Sequence, residues 1–574
     1  MATGLFHKNN FIKFLEKLFS YKALSPYSLI ALLSLAIISL CFFLGHYSGI
    51  LIDFGREVYY PEQMLQGKVL YKDLFNIYGP LSYQINALLY KIFGIKLSTL
   101  YFAGSVCSVG IVSGIYLIAK KFLSEFLSFT IGFFTISVGV ATTSIFNFHF
   151  PYSWAMVYGL FAFLVSLYFL IKLISLQNSS ASADGINLCI SAFFAGISIT
   201  CKYDFLLYSL VVLFFIIKNK NLKALLCFLS VPFISYGTLF LQGLSFSDLL
   251  NALDISKNIA GTNTLKYFYI NSGIYFSPKV IPHDIFSFLL LLIPFSGAIF
   301  SYQSFERKNI FIKILSVILF ISSFIFLFVL LKIKSEYLFD FVLPFILIFS
   351  LAIFKKLNSK LCILTVSTIF ACAKVFWAVL INGYGTYYIS VALITALALL
   401  FSVLHKKYEK ITGFIILFIG IFFVFNNFSN INMQKIETKR GKIFTRLTQS
   451  ESTKDLIGYI NKNTQPNDKI LIFPEGMMIN FLTNRKSDDF YNSLIPLYTE
   501  TFGEDKIIEY FSKEKPEYII LSNLNMKDYY FKYICQDYAL DFCQFIIENY
   551  NKAEFIDNNS EIDNSIKYTV FKLR

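Results

Sequence analysis

Five ionisable residues stand close together just after the first long apolar run of the sequence. Asp53, Arg56, Glu57, Glu62 and Asp73 share one segment, which begins IDFGREVYYPEQ. Glu57 follows Asp53 by four residues, so both side chains lie on one face if the segment is helical. Ionisable groups at a bilayer boundary mark functional sites by default. The pattern therefore favours a binding or catalytic site over an ordinary solvated loop.

The order of short motifs in this segment resembles that of a known family. It reads D-x-G-R-E, then L-x-G-x-x-x-Y-x-D, then Y-G-P-L and F-G. This order resembles the first extracytoplasmic loop of the GT-C superfamily of integral-membrane glycosyltransferases, and most closely the bacterial relatives of the protein O-mannosyltransferase and aminoarabinose transferase group. In that family an acidic residue just after the first transmembrane helix is the proposed catalytic base, and Asp53 stands at the matching position. The resemblance in layout covers the whole chain, and its motifs are strongest in residues 53–94.

The resemblance implies an inverting transfer of a sugar from a polyprenyl-phosphate-linked donor to a hydroxyl acceptor. Such a transfer needs a carboxylate to take the acceptor proton, and cations to hold the leaving phosphate. We expect Asp53 to be the base, with Glu57 positioning the acceptor or supporting Asp53. Arg56 either binds phosphate or neutralises the neighbouring acids, and the residues alone leave both roles open.

Two further segments contain titratable residues that could join Asp53. His149 lies in NFHFPYSWAMVYG, where some relatives have an acidic residue and this sequence has none. It is a candidate substrate-binding residue, although aromatic residues with a histidine are also typical of a membrane-interface belt. Lys202, in TCKYDF, is costly within apolar sequence unless it is paired or functional. It either binds the lipid phosphate or forms an ion pair with Asp204.

A third segment, LKIKSEYLFDFVLP, resembles the family pattern of a basic residue followed by Tyr and then L-P. Lys332, Lys334 and Tyr337 are the candidates for contact with the lipid phosphate, and lysines that extend to the membrane surface are the alternative. Asp488 and Asp489 faintly resemble a metal-binding acidic motif, but we interpret them as a solvated turn. No phosphate loop or zinc helix is visible, and a divalent metal remains a candidate cofactor without assigned ligands.

The composition defines the class of protein that must position these residues. Of the 574 residues, 56% are hydrophobic and 15% are charged, and the mean hydropathy is +0.61. A soluble chain would carry about 25% charged residues, so the sequence predicts a polytopic membrane protein. The first apolar run is too long and lacks the cleavage site of a signal peptide.

Apolar runs of membrane length predict thirteen transmembrane helices. They lie near 27–50, 98–119, 126–142, 153–171, 186–200, 204–217, 224–241, 285–301, 310–331, 337–354, 361–380, 386–404 and 411–428. The pair 186–200 and 204–217 is short, and a re-entrant hairpin is the alternative there. The second half of the segment that follows the first run has helical spacing of apolar residues, which predicts a helix along the bilayer surface.

The distribution of basic residues predicts the orientation of the chain. The segments assigned to the cytoplasm contain nineteen basic and five acidic residues, which accounts for the whole net charge of +14. This is the positive-inside pattern, so nucleic acid is not needed as a partner to explain it. We therefore expect a bacterial inner-membrane protein with a cytoplasmic N-terminus. Its partners would be the lipid bilayer, the lipid-linked donor and the hydroxyl acceptor.

The composition changes at about residue 430, where charges become dense. Strand-like runs at 469–474, 517–522 and 567–573 alternate with helix-like segments at 452–463, 504–513 and 528–550, as in a small α/β domain. We expect a transmembrane glycosyltransferase domain over residues 1–429, including an outer loop at 51–97, and an extracytoplasmic domain over residues 430–574. Cys535 and Cys543 share this region and could form a disulfide if it is extracytoplasmic, although a helix through both would hold them far apart.

Two other functions fit an all-α polytopic protein with a C-terminal α/β domain. A transporter or flippase of lipid-linked sugars would explain the many helices, but it would not explain the early acidic loop and the terminal domain. A surface-polysaccharide polymerase or ligase would be expected to have its largest loop late in the sequence. A scaffold protein that has lost catalysis is a further alternative.

Overall fold

The computed structural model describes residues 27–175, 181–272, 274–278, 281–305, 309–335, 337–466, 468–557 and 565–574, with the backbone only for 175, 181–184, 305 and 334. Helices dominate up to residue 428. They are α1 (Ser28–Phe43), α2 (Phe54–Leu65), α3 (Leu81–Phe93), α4 (Leu97–Ala119), α5 (Glu125–Gly139), α6 (Trp154–Ser175), α7 (Ala181–Cys201), α8 (Leu206–Lys218), α9 (Leu222–Leu241), α10 (Phe246–Gly261), α11 (Asn263–Asn271), α12 (Ile281–Phe305), α13 (Ile310–Lys334), α14 (Val342–Ala352), α15 (Ser359–Ala371), α16 (Gly385–Val403) and α17 (Glu409–Phe428).

Each of the thirteen predicted apolar runs contains one helix, namely α1, α4 to α9 and α12 to α17. Seven helices in the described part of the chain are long and apolar enough to cross a membrane. The fold class predicted from the sequence, a helical multi-pass membrane protein with a C-terminal α/β region, is therefore confirmed. Three-residue 3-10 turns, Tyr203–Phe205 and Ala373–Val375, follow α7 and α15 and carry polar residues into the interior.

The connection between α1 and α4 forms two helices with different surroundings. Ten consecutive residues of α2, from Phe54 to Gln63, are buried, and α2 packs on a helix of the C-terminal region. The close packing requires Gly55, because a Cβ there would lie 2.5 Å from the backbone nitrogen of Met478. In contrast, α3 exposes Leu88 and its neighbours Ile92 and Phe93, which agrees with the apolar face predicted for the second half of this segment.

The described residues of the C-terminal region form two sheets and five α-helices. Its elements are β1 (Gln434–Thr438), β2 (Gly441–Thr445), α18 (Leu447–Asn463), β3 (Ile470–Phe473), α19 (Met477–Thr483), α20 (Pro496–Phe502), α21 (Glu504–Lys513), β4 (Tyr518–Ser522), α22 (Leu540–Asn549), β5 (Tyr550–Ile556) and β6 (Tyr568–Leu573). The strand order is β3-β4-β6-β5, with β3 and β4 parallel and the other neighbours antiparallel. The three predicted strands are thus confirmed, as β3, β4 and β6.

Two predictions about this region are wrong. The helix predicted over 528–550 is present only from Leu540, and Cys535 lies before it with a positive φ of 66°. Cys535 and Cys543 therefore approach to a Cα–Cα distance of 5.6 Å and form a disulfide. Asp488 does not lie in a solvated turn. It is buried, because Lys469 Nζ at 2.6 Å and the backbone N–H groups of a tight turn satisfy its carboxylate.

The C-terminal region is joined to the helical part by backbone hydrogen bonds. The strand residue Phe444 exchanges two bonds with the segment after α1: its N–H donates to the carbonyl of Gly45 at 2.7 Å, and its carbonyl accepts from the N–H of Tyr47 at 2.9 Å. A buried ion pair adds to this junction, with Arg440 Nη2 2.6 Å from Glu62 Oε1. The C-terminal region thus covers the helix that follows Asp53.

Candidate functional site

Asp53 is the first residue of the site and immediately precedes α2. Its backbone has a φ of +70°, a conformation that costs an L-residue about 1–3 kcal/mol unless its surroundings fix it. The Asp53 N–H donates to Oε1 of Glu475 at 2.9 Å, so the C-terminal region supplies that support. Glu475 comes two residues after the end of β3 and its side chain is buried.

A small cavity lies between Asp53 and the C-terminal region. Its volume is about 20 Å³, enough for one water-sized group. Asp53 and Arg56 line one side, and Glu475 and Tyr498 line the other. Nη1 of Arg56 donates to the Tyr498 hydroxyl at 3.3 Å. The cavity is therefore built jointly by the early acidic segment and the last part of the chain.

The two carboxyl groups of this cavity differ in acidity. Burial raises the pKa of Asp53 to about 6, while the charge of Arg56 opposes the rise. Burial and the charge of Asp53 raise the pKa of Glu475 to about 8. At neutral pH the pair consequently shares one proton and carries one negative charge. A carboxylate that titrates close to neutral pH has the proton affinity that a general base requires.

Glu57 is fully buried one helical turn after Asp53, but its oxygens have protein partners. Oε1 accepts from the Tyr83 hydroxyl at 3.0 Å, and Oε2 accepts from the backbone N–H of Trp154 at 3.0 Å. These bonds tie α2 to α3 and to the start of α6. The predicted catalytic role of Glu57 stays a prediction, and this geometry favours the positioning alternative.

The ring of Tyr78 contacts two cations, Arg56 and Lys202. The Tyr78 ring has the Arg56 guanidinium 5.5 Å from its centroid and Lys202 Nζ 4.7 Å from it. The Tyr78 hydroxyl forms a 2.8 Å hydrogen bond with that of Tyr152, and Tyr152 in turn lowers the pKa of the Asp53 carboxyl. Tyr78 thus contacts Lys202, and its partner Tyr152 interacts with Asp53.

Lys202 and Lys374 share one counter-ion. Their Nζ atoms lie 3.8 Å and 3.7 Å from Oδ2 of Asp204, and both face the ring of Tyr384, at 5.4 Å and 4.2 Å from its centroid. Both predicted alternatives for Lys202 remain, because the ion pair with Asp204 leaves an excess of positive charge. Burial lowers the pKa of Lys202 to about 8.

A glycine brings the acidic segment against this cationic group. A Cβ at Gly79 would lie 1.9 Å from the carbonyl oxygen of Thr200, a distance that no other residue could tolerate. The Y-G-P-L motif thus allows the chain at Tyr78 to touch the chain at Lys202. This contact gives a physical reason for the glycine in that motif.

The remaining predicted site residues lie in other surroundings. His149 is fully buried and its Nδ1 is 3.1 Å from the Tyr47 hydroxyl; burial lowers its pKa to about 3, so it is neutral. Lys332 is exposed with its Nζ over the Phe328 ring, and Tyr337 contacts the ring of His283. The Lys334 side chain lies outside the described residues. The binding roles of these four residues stay predictions.

Sequence reasoning did not identify Glu475 and Lys374. Lys374 had the same signal as Lys202, a single lysine within apolar sequence. The predicted transmembrane helix over 361–380 included Lys374, whereas α15 ends at Ala371 and leaves Lys374 in the segment that follows. Glu475 directly follows a predicted strand, a common location for site residues. Among the described residues, no three His, Cys, Asp or Glu side chains lie close enough together to hold a metal ion.

Several solved structures are similar to this chain in fold. ArnT from Cupriavidus metallidurans bound to undecaprenyl phosphate has 11% identity and a TM-score of 0.41, covering 94% of this chain and 97% of its own. The archaeal oligosaccharyltransferase AglB from Archaeoglobus fulgidus, in complex with an inhibitory peptide and a dolichol-phosphate, has 12% identity and a TM-score of 0.49, covering 93% and 73%. No protein-family model and no curated protein matches the sequence.

Proposed function

We propose that this protein is a membrane glycosyltransferase that moves a sugar from a polyprenyl-phosphate-linked donor to a hydroxyl acceptor. The observation that carries the proposal is the pairing of a buried carboxylate with a nearby cationic group. Asp53 and Glu475 hold one negative charge between them at neutral pH, while Lys202 and Lys374 share Asp204 and so carry an excess of one positive charge. A base and a phosphate-binding group are the two parts that this chemistry needs.

The reaction follows from the placement of these groups. The acceptor oxygen occupies the small cavity beside Asp53 and attacks the anomeric carbon of the sugar, while Asp53 takes its proton. The bond between that carbon and the phosphate oxygen breaks, and the electron pair leaves with the polyprenyl phosphate. Attack opposite the leaving group inverts the anomeric centre.

The leaving phosphate is stabilised by Lys202 and Lys374, with Arg56 nearest to the reacting centre. Two ammonium groups against one carboxylate leave a net positive charge, which favours a phosphate over a neutral ligand. The aromatic rings of Tyr78 and Tyr384 hold these cations in place. Lys332, Lys334 and Tyr337 are proposed to contact the lipid phosphate further along its path.

The site and the C-terminal region are proposed to face the outer side of a bacterial inner membrane. This orientation rests on the basic residues of the predicted cytoplasmic segments. On that side the donor must be membrane-borne, because nucleotide-sugars are cytoplasmic. The acceptor would be a hydroxyl of a cell-envelope glycan, lipid or protein.

Replacement of the base tests the proposal. In vesicles reconstituted with a radiolabelled polyprenyl-phosphate sugar, we expect Asp53→Asn to reduce sugar release by about 10²- to 10⁴-fold, since that is the usual contribution of a general base. The matched control Asp505→Asn, at an exposed residue of α21, should retain the wild-type rate. Near-normal release by Asp53→Asn would overturn the mechanism. Movement of the intact donor across the bilayer without sugar release would identify a flippase instead.

A further inference from the structure

A second and larger cavity adjoins the Asp53 cavity. Its volume is about 370 Å³, within the range of about 300–1,000 Å³ that is usual for ligand pockets. The rings of Phe75 and Phe490 line both cavities. A ligand in the larger cavity can therefore present a group to Asp53 past this aromatic pair.

The lining of the larger cavity has the chemistry of a polyhydroxyl ligand. Asp248, Asn251, Asp254 and Asn258 all come from α10, at spacings that place them along one side of the helix. Carboxylate oxygens accept hydrogen bonds from hydroxyl groups, and amides both donate and accept. Tyr71, together with the two shared phenylalanines, supplies the aromatic surface that covers the apolar face of a sugar ring.

The charge of this cavity is opposite in sign to that of Lys202 and Lys374, the proposed phosphate-binding group. Two carboxylates, Asp248 and Asp254, face a single ammonium group, that of Lys72, which donates to the carbonyl of Gly243 at 3.2 Å. The balance is negative, so a phosphate is disfavoured, whereas a neutral or amino sugar is not. The two groups thus differ in sign: Lys202 and Lys374 carry an excess of positive charge, and α10 contributes acids and amides.

Hydrogen bonds fix the start of α10, which carries these acids and amides, and the start of α11, the helix that follows it. Ser245 and Asp248 form a reciprocal capping box at the start of α10. At the start of α11, Glu500 accepts from the backbone N–H groups of Asn263 and Thr264 at 2.9 Å and 3.0 Å. Glu500 belongs to α20, so the C-terminal region fixes the helix pair α10–α11. A pre-organised wall lowers the cost of binding.

We propose that this cavity binds a sugar ring of the acceptor, so that the acceptor hydroxyl which reaches Asp53 belongs to a glycan. This inference rests on the proposed function and specifies its acceptor as a neutral or amino carbohydrate. A peptide acceptor would instead be expected to use an exposed sheet edge or an apolar groove, whereas polar side chains over aromatic rings dominate here.

Direct binding to the full-length protein tests the inference without any transfer reaction. The protein is placed in lipid nanodiscs, because maltoside detergents carry sugars themselves. Saturation transfer is then measured by nuclear magnetic resonance on a panel of methyl hexosides and methyl 2-amino-hexosides. We expect saturation of at least one glycoside by the wild type, and about ten-fold weaker binding by the Asn251→Ala, Asp254→Ala and Asn258→Ala triple variant, which loses several hydrogen bonds.

Two matched variants control for the helix itself. Ser247→Ala and Lys257→Ala change exposed residues of α10 that do not line the cavity, and both should bind as the wild type does. Equal binding by the triple variant, or no binding of any glycoside by the wild type, would overturn the inference. Preferential binding of a lysine-rich peptide would assign the cavity to a protein partner instead.

The outcome for this cavity is distinguishable from that of the proposed function. Sugar release that depends on Asp53, together with an absence of glycoside binding, would leave the transferase and remove the glycan acceptor. Glycoside binding with no cleavage of the donor would remove the transferase and with it the acceptor role of the cavity.

Discussion

The ion pair between Arg440 and Glu62 gives a prediction whose size follows from its burial. Nη1 and Nη2 of Arg440 lie 2.5 Å and 2.6 Å from the two oxygens of Glu62. The side chains are only 14% and 6% exposed, and the guanidinium also lies over the Phe481 ring at 4.8 Å. Arg440→Met keeps much of the packing but leaves the carboxylate buried without its partner. Removal of one member of such a pair costs about 3–5 kcal/mol.

The free energy of unfolding of the wild type and the variants provides the measurement. It is obtained by denaturation in mixed micelles, and limited proteolysis reports release of the C-terminal region. We expect Arg440→Met to lower it by about 3–5 kcal/mol, and the double variant Glu62→Leu, Arg440→Met to recover most of the loss, because an apolar pair replaces a buried ionic one at little cost.

A second ion pair serves as the matched control. Lys513 and Glu509 form an i,i+4 pair on α21 at 2.6 Å, but their side chains are 71% and 68% exposed. Lys513→Met should therefore leave stability unchanged within error, since water screens exposed pairs. A loss below about 1 kcal/mol for Arg440→Met, the value typical of exposed pairs, would refute the argument that this contact holds the C-terminal region on α2.

Two further predictions concern the site. Because burial raises the pKa of Asp53 to about 6, the base becomes protonated below that pH. The rate of sugar transfer should therefore fall about ten-fold per pH unit as the pH drops below 6. A rate that stays flat down to pH 4 would contradict the raised pKa of the base. Gly79→Ala should reduce transfer by at least about ten-fold, because its Cβ would clash with the Thr200 carbonyl and separate Tyr78 from Lys202. Gly458→Ala, which meets no atom within 4 Å, is the control, and equal activity of the two alanine variants would contradict the steric argument.

The sequence predicted the elements that local patterns specify. Apolar runs of membrane length located the helices because a segment surrounded by apolar material must be apolar along its whole length. Strands β3, β4 and β6 were found from short apolar runs as well, and all four residues of β3 are buried although it lies at an edge of the sheet. In contrast, β5 has five exposed residues in succession, and an edge strand of that kind lacks a local signal.

The site was predicted only as far as its residues carry signals in their own segments. Asp53 and Lys202 are charges at or within apolar sequence, and both could be identified without a structure. The contact between Asp53 and Glu475 joins residues 422 positions apart, and no local pattern specifies a contact at that separation. The disulfide stayed undecided because a helix over 528–550 would separate the two cysteines, whereas the helix begins only after Ala539.

The hydrogen bonds between Phe444 and the Gly45–Tyr47 segment have a consequence for biosynthesis. The ribosome delivers Asp53 to the membrane long before it synthesises Glu475, Tyr498 and Arg440. During that interval the C-terminal region is not yet available to pack on α2, and Asp53 lacks Glu475, the partner that fixes its backbone. Translation must therefore pass Phe444 before the Gly45–Tyr47 segment is tied down, and it must reach Glu475 before the Asp53 backbone gains its partner.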